Sequence, residues 1–218
     1  MSRLVLVILG KQGAGKGTQC ARLSSHYRIP HVSTGDILRA AVKAHSALGH
    51  EVQAVLDAGA LVSDDLVNRL VAERFNEPDA KGGALLDGFP RTLGQAAALD
   101  ELLGTDGVSL CINLDVDSEL AVARLSARRV CVECGASYRD TDPEAISGTC
   151  SQCSGDVVQR SDDLPEAIAA RLALYERDTA PLLDFYGARG PLVTVDGARD
   201  ADEVTSEIHG IIAERGLA

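Results

Sequence analysis

Residues 10–18 read GKQGAGKGT and come directly after the apolar run Leu4–Leu9, LVLVIL. A short, wholly apolar run before a glycine-rich turn reads as a buried strand, and residues 16–26 after it suit a helix. The spacing Gly10-x4-Gly15-Lys16 is that of a phosphate-binding loop. Glycine permits backbone angles that a side chain would forbid, so the loop can wrap its N–H groups around phosphate oxygens. Lys16 is placed to reach the outer phosphates, and the following helix aims its positive end at the anion. Gly17 stands between Lys16 and Thr18, so the strict form of the loop, with Ser or Thr directly after the lysine, is missed by one position.

Outward from this loop the chain alternates strand and helix. Apolar strands are expected at Leu4–Leu9, 84–87, 108–114 and 192–195, with a short one at His31–Ser33. Helices are expected at 16–26, Asp64–Phe75, Leu93–Leu103, Ser118–Ala127, 165–185 and 201–215. Wholly apolar strands alternating with helices predict an α/β fold of three layers, a central parallel sheet covered on both faces. Ligands of such sheets bind beyond the carboxyl ends of the strands, where the phosphate loop lies. Two segments break the rhythm. Residues 34–62 read as all-helical, with breakers at Gly49 and Gly59, and suit a small helical lobe. Residues 128–163 have few large apolar side chains and hold four paired cysteines, so a metal is a fitting staple.

Composition narrows the classes. The chain has 218 residues and a net charge of −11, which argues against a nucleic-acid binder with a basic face. No apolar run is long enough to span a bilayer. Met1-Ser2-Arg3 leads straight into a strand, with no secretory signal, so the cytoplasm is the expected location. No long apolar stripe suggests an oligomer, and a monomer is expected. Seventeen of the 21 basic residues are arginine, the residue suited to bidentate phosphate contacts.

Cys131-x2-Cys134 and Cys150-x2-Cys153 stand with 15 residues between the pairs. This is a two-knuckle zinc pattern, and four thiolates leave no open position, so the metal would be structural. An iron–sulfur site with the same ligands is the alternative. Cys20 and Cys111 stand alone in apolar surroundings and read as small hydrophobes.

Three further stretches carry chemistry. Asp87-Gly88-Phe89-Pro90-Arg91 ends a strand, where a carboxylate reaches Mg²⁺ through water and a turn frees Arg91 to point into a cleft. Ser33-Thr34-Gly35-Asp36 precedes a helix at 37–44; Ser33 or Thr34 can cap it, and with Arg39 the stretch can hold a second phosphate-bearing ligand. Thr92-x-x-Gln95 fits a capping box. Arg124, Arg128, Arg129 and Arg139 flank or lie within the cysteine segment, and Arg160 and Arg171 follow it, a clustering that suits a polyanion. For Arg129 and Arg139 individually, ordinary helix-surface charge is the favoured reading.

In the order GKQGAGKGT, STGDILR, LLDGFPRT and CVECG…CSQC, over essentially the whole chain, the sequence resembles the adenylate kinases, in their long-lid form with a zinc-bearing lid. The resemblance implies a core of residues 1–32, 63–126 and 164–218, a nucleoside-monophosphate lobe at 33–62 and a zinc-ribbon-like lid at 127–163. It implies the reversible reaction of MgATP with AMP to give two ADP. Gly13, Ala14, Gly15, Lys16, Gly17 and Thr18 would cradle the ATP phosphates. Ser137 and Tyr138 would meet ATP from the lid, and Arg199 would meet the adenine through its backbone. Thr34, Arg39, Ala60, Leu61, Val62, Gly88, Phe89, Pro90, Arg91 and Gln95 match AMP-contacting positions. Arg124, Arg128, Arg160 and Arg171 match arginines that close over the phosphates, and Asp162 and Asp163 match acids of the lid hinge. Gln12 stands where family loops usually carry proline, which implies a looser loop before ATP binds. A related kinase directed to UMP or CMP, or one using GTP as donor, is the nearest alternative, although Thr34 favours AMP. A zinc-ribbon adaptor gated by nucleotide and a simple ATPase are the alternatives of other classes.

Overall fold

The computed structural model describes residues 3–217; Met1 and Ser2, on which the expectation of no leader rests, lie outside them. In chain order the strands are β1 (Leu4–Leu9), β2 (His31–Ser33), β3 (Gly83–Asp87), β4 (Leu110–Asp115), β5 (Arg128–Cys131), β6 (Ser137–Arg139), β7 (Val157–Val158) and β8 (Leu192–Asp196). The helices are α1 (Lys16–Tyr27), α2 (Thr34–Lys43), α3 (Ala47–Asp57), α4 (Asp64–Phe75), α5 (Leu93–Leu103), α6 (Ser118–Ala127), α7 (Pro143–Ser147), α8 (Pro165–Leu174), α9 (Pro181–Gly187) and α10 (Ala201–Glu214).

Strand β1 is apolar at every residue because both of its faces are covered. Successive side chains of a strand point to opposite faces. Val5, Val7 and Leu9 pack with Val71 and Phe75 of α4, Leu99 of α5 and Tyr186 of α9. Leu6 and Ile8 pack with Cys20 and Leu23 of α1 and with Val204, Ile208 and Ile212 of α10. Each such aliphatic side chain, fully buried, contributes roughly 1.5–3 kcal/mol.

The large sheet is parallel, in the order β2-β3-β1-β4-β8. Strand order reverses at β1, which opens a crevice at the carboxyl ends. Register places Ile8 beside Asp87 and Asp87 beside Ser33, so the phosphate loop, the end of β3 and the start of α2 emerge side by side. Ser33 ends β2, as expected, and caps α2. Strands β6, β5 and β7 form a separate antiparallel sheet. No helix among the described residues is long and apolar enough to cross a membrane.

Two expectations are revised. The single helix expected at 165–185 is interrupted by a π-helical turn, Tyr175–Thr179. Pro181 lacks an N–H, and the ladder shifts by one residue before it: Ala180 N–H donates to Tyr175 O at 2.8 Å. Gly49, expected to break the helical lobe, lies inside α3. The break comes at left-handed His45 (φ 49°), and Ser46 caps α3 by accepting the Gly49 N–H at 3.0 Å.

Gly49 is required by the approach of α2 to α3. A Cβ there would stand 2.2 Å from Ala41 O. Helix propensity alone favours alanine by about 1 kcal/mol, whereas overpacking costs roughly 1–3 kcal/mol and here meets backbone, which yields least. Gly49→Ala is expected to lower the urea midpoint. A raised midpoint would show that propensity wins and that the helices do not pack this closely.

Candidate active site

The phosphate loop is built around an uncapped helix. Helices α2, α3, α5, α6 and α10 each begin with a side-chain cap, from Ser33, Ser46, Thr92, Asp117 and Asp200. Helix α1 begins at left-handed Gly15 (φ 94°) with no side-chain cap, so its first N–H groups are left for an anion. Gly13 (φ 86°) lets the loop lie against α6, since a Cβ would meet Ala121 O at 2.7 Å. Ala14 is buried, while Gly15, Gly17 and Thr18 are exposed. Lys16 Nζ bridges the loop, donating to Gly10 O at 2.6 Å and Lys11 O at 2.8 Å. Burial lowers the Lys16 ammonium from 10.5 to about 8, against the opposing pull of Asp87. Burial works against ionisation of Asp87 itself, but the hydrogen bond from His31 and the charge of Lys16 outweigh it and hold the carboxyl below its usual range.

Beside this loop lies a second pocket between α2, the α3–α4 connection and the turn after β3. Thr34, Arg39, Ala60, Leu61, Val62, Gly88, Arg91 and Gln95 line it, together with Arg171 and Asp162. The cap explains the role of its polar wall. Ser33 caps α2 by accepting the Asp36 N–H at 3.3 Å, which frees the Thr34 hydroxyl to donate to Gly88 O at 2.9 Å. Phe89 and Pro90, expected beside them, are buried and stand outside the lining; the Phe89 ring packs in the core with Val71 and Leu99.

Thr92 and Gln95 form a displaced capping box. Thr92 Oγ1 accepts the Gln95 N–H at 3.1 Å, but Gln95 Oε1 accepts the N–H of Arg91, one residue before the cap, at 2.7 Å. Asp64 completes the arrangement, accepting from Thr92 Oγ1 and Gln95 Nε2, both at 2.7 Å. Gln95 thus fastens the Arg91 turn while facing the pocket. Sequence reasoning missed Asp64; it is visible there only as an acid in the first turn of α4.

Five guanidinium groups gather where the two pockets meet. Burial, and then the neighbouring Arg171, lowers Arg91 to about 10. Burial, and then Arg39 and Arg128, lowers Arg160 to about 10. Carboxylates hold the group together. Asp163, fully buried, accepts Arg128 in a fork at 2.8 and 2.6 Å and Arg171 at 3.1 Å. Asp162 pairs with Arg171 at 3.2 Å, and Asp36 pairs with Arg39 and, at 3.9 Å, Arg160. Arg124 stands apart: it donates to Gly197 O at 2.8 Å and Gly13 O at 3.4 Å, joining the phosphate loop to the loop before α10. Arg199 lies in that loop, exposed, with its side chain paired to Glu207. Arg139 is exposed, and the Arg129 guanidinium bonds only nearby carbonyls, which fits the surface reading of both.

The cysteine lobe has its own small cluster, Cys131, Cys150 and Val157 backed by Ala136, Tyr138 and Ala145. The four Sγ atoms of Cys131, Cys134, Cys150 and Cys153 lie within 4.8 Å of one another, with Cys131–Cys153 at 3.4 Å and Cys134–Cys150 at 3.6 Å. A tetrahedron with metal–sulfur bonds of about 2.3 Å has edges of about 3.8 Å, so the cluster fits zinc. Each pair turns alike: the Glu133 and Gln152 N–H groups reach Cys131 and Cys150 Sγ, both at 3.4 Å, and Gly135 and Ser154 follow in left-handed conformation. Ser137 is exposed, and the Tyr138 hydroxyl faces Cys150 Sγ at 3.1 Å. The cysteine lobe and the helical lobe touch, through Lys43–Glu133 at 2.7 Å and Ser161–Asp57 at 2.8 Å.

A family model described as adenylate kinase matches residues 8–191. The chain belongs to the adenylate kinase family. It is therefore a nucleoside monophosphate kinase, a phosphotransferase. The adenylate kinase of Nitrosococcus oceani is 49% identical over 210 residues, 94% of this chain and 97% of that protein. Those of Finegoldia magna and Bacillus cytotoxicus are 46% and 44% identical, over 93% and 98% of this chain and 96% and 99% of theirs. The family match takes in the phosphate loop, the second pocket and all four paired cysteines; of the expected site residues only Arg199 lies beyond it.

Lowered to about 8, Lys16 is expected to make phosphate binding here depend on pH. Below about 8 the ammonium is charged and meets a triphosphate at no cost in protons; above it, binding must recruit a proton. Affinity for ATP measured by calorimetry is therefore expected to be flat below that value and to fall as pH rises through it. Lys16→Met should bind weakly with no such slope. A wild-type affinity level up to the ordinary lysine range would show that burial does not lower Lys16, and an undiminished affinity in Lys16→Met would remove Lys16 from the phosphates.

Proposed function

We propose that the two adjoining pockets serve one reaction, the reversible transfer of the terminal phosphoryl group from MgATP to AMP, giving two ADP. The observation that carries this is the placing of Arg91 and Arg171, which line the second pocket while their charges bear on Lys16 in the phosphate loop. Backbone N–H groups from Gly13 to Thr18 hold the ATP phosphates, and Asp87 orients the magnesium through water. Thr34, Arg39, the 60–62 backbone, Gly88 and Gln95 hold AMP. Lys16, Arg91, Arg124, Arg128, Arg160 and Arg171 neutralise the charge that spreads over the transferring group.

The attacking oxygen belongs to an AMP phosphate that is already an anion, so no general base is required. Alignment of the two nucleotides supplies most of the rate. Water must be kept out, or ATP would be hydrolysed. The lobe at 33–62 and the lid at 127–163 close over the core of 1–32, 63–126 and 164–218 for this purpose, and the Lys43–Glu133 pair supports that reading. The four cysteines hold structural zinc, which stiffens the lid and takes no part in the transfer. The enzyme works as a monomer in the cytoplasm, where unpaired thiols persist.

Purified chain is to be given MgATP with no acceptor and with AMP, UMP, CMP or GMP in turn. ADP is expected only with AMP, two for each ATP consumed. Equal ADP without acceptor means an ATPase and removes the AMP assignments; a preference for UMP or CMP redirects the second pocket. Cys131→Ser is expected to lose zinc and several degrees of melting temperature while turnover, measured well below melting, falls much less. Wild-type protein free of zinc after growth in zinc-replete medium would end the assignment.

A further inference from the structure

Behind the phosphate loop, three side chains converge that the transfer reaction does not jointly use. Cys20 lies on α1, His31 opens β2 and Asp87 ends β3. One donor atom of each lies within 4.8 Å of the others, and His31 Nε2 stands 3.3 Å from Asp87 Oδ2. Cys20 is fully buried, whereas the His31 and Asp87 side chains are 24% and 16% exposed, so an ion reaching the cluster enters past His31 and Asp87. A thiol, an imidazole and a carboxylate form a mixed donor set that suits zinc; magnesium takes oxygen alone. The cysteine lobe offers four sulfurs and no free position. This cluster offers three donors and leaves the fourth to water or a phosphate oxygen. His31 sits on an edge strand of the sheet that is only three residues long, so the small closure needed to bring three donors onto one ion falls on a short edge strand.

We propose that Cys20, His31 and Asp87 form a second zinc site, which inhibits the enzyme. On binding, the Cys20 thiol releases its proton to solvent and the sulfur takes the metal. The His31–Asp87 hydrogen bond gives way to two bonds to the ion. Asp87 is then withdrawn from the water shell of MgATP, and an added divalent charge stands beside Lys16. The loss of turnover rests on the place of Asp87 beside MgATP under the proposed function; the metal site itself does not.

Zinc uptake is to be measured by equilibrium dialysis of the full chain against buffered free zinc, with ADP formation followed in parallel. The four-cysteine cluster fills in every variant. Wild type is expected to take one further equivalent and to lose turnover, which a chelator restores. Cys20→Ala should take one equivalent fewer, keep its basal turnover and need at least ~100-fold more zinc for equal inhibition, more than the loss of an outer-shell partner costs. His31→Gln, at the sheet edge, provides the same uptake test if Cys20→Ala folds poorly. Equal uptake by wild type and both variants overturns the site. Uptake that depends on Cys20 but leaves turnover unchanged upholds the metal site, overturns its inhibition of the enzyme and counts against the assignment of Asp87 to MgATP.

Discussion

Asp163 is fully buried, and Arg128 and Arg171 both bond to it. Most of the site follows from that arrangement. A lone buried carboxylate would be very costly, and so would two guanidinium groups brought together without one. Joined, they hold the end of the cysteine lobe against α8 and bring Arg171 to the pocket wall. The remaining arginines are less well compensated. Burial first, and then neighbouring guanidinium groups, pushes Arg91 and Arg160 down to about 10, so the site suits an anion. Binding phosphate is thus favoured by what the fold leaves unbalanced as much as by the contacts it offers.

The same logic governs the phosphate loop. Helix α1 carries no side-chain cap, which leaves its first N–H groups to a ligand. Ser33 makes the opposite choice at α2: by capping, it frees the Thr34 hydroxyl for the turn after β3. One cap given and one withheld place two anion sites side by side.

Much of this was legible in the sequence for physical reasons. Buried parallel strands must be apolar throughout, so β1, β3 and β4 stood out as short runs, and the glycine spacing of the loop and the paired cysteines are fixed by their ligands' geometry. Features set by tertiary contact were not legible. Gly49 reads as a breaker because propensity treats it as one, yet it is placed by the approach of Ala41 O. Asp64 looks like a surface acid until the chain brings Thr92 and Gln95 to it, and Asp163 stood out only through the resemblance, as a hinge acid. Phe89 sits in a motif facing the second pocket, but its ring goes to the core, since an apolar ring gains more there than at a polar wall. Tyr138, likewise, turns its hydroxyl to a cysteine 12 residues away.

The π turn at Tyr175–Thr179 has a consequence of phase. Each residue added to a helix rotates everything after it by about 100°. The wide turn absorbs one extra residue and so keeps the phase; straightening it into an ordinary ladder with that residue retained would swing Leu182 and Tyr186, now facing the sheet, around to another side. The turn also carries Glu176, 3.4 Å from Lys11 of the phosphate loop, and Thr179, whose hydroxyl donates to Arg91 O at 2.9 Å. One irregular turn therefore acts as a strut between the phosphate loop and the turn after β3, with its spacing set by a single extra residue.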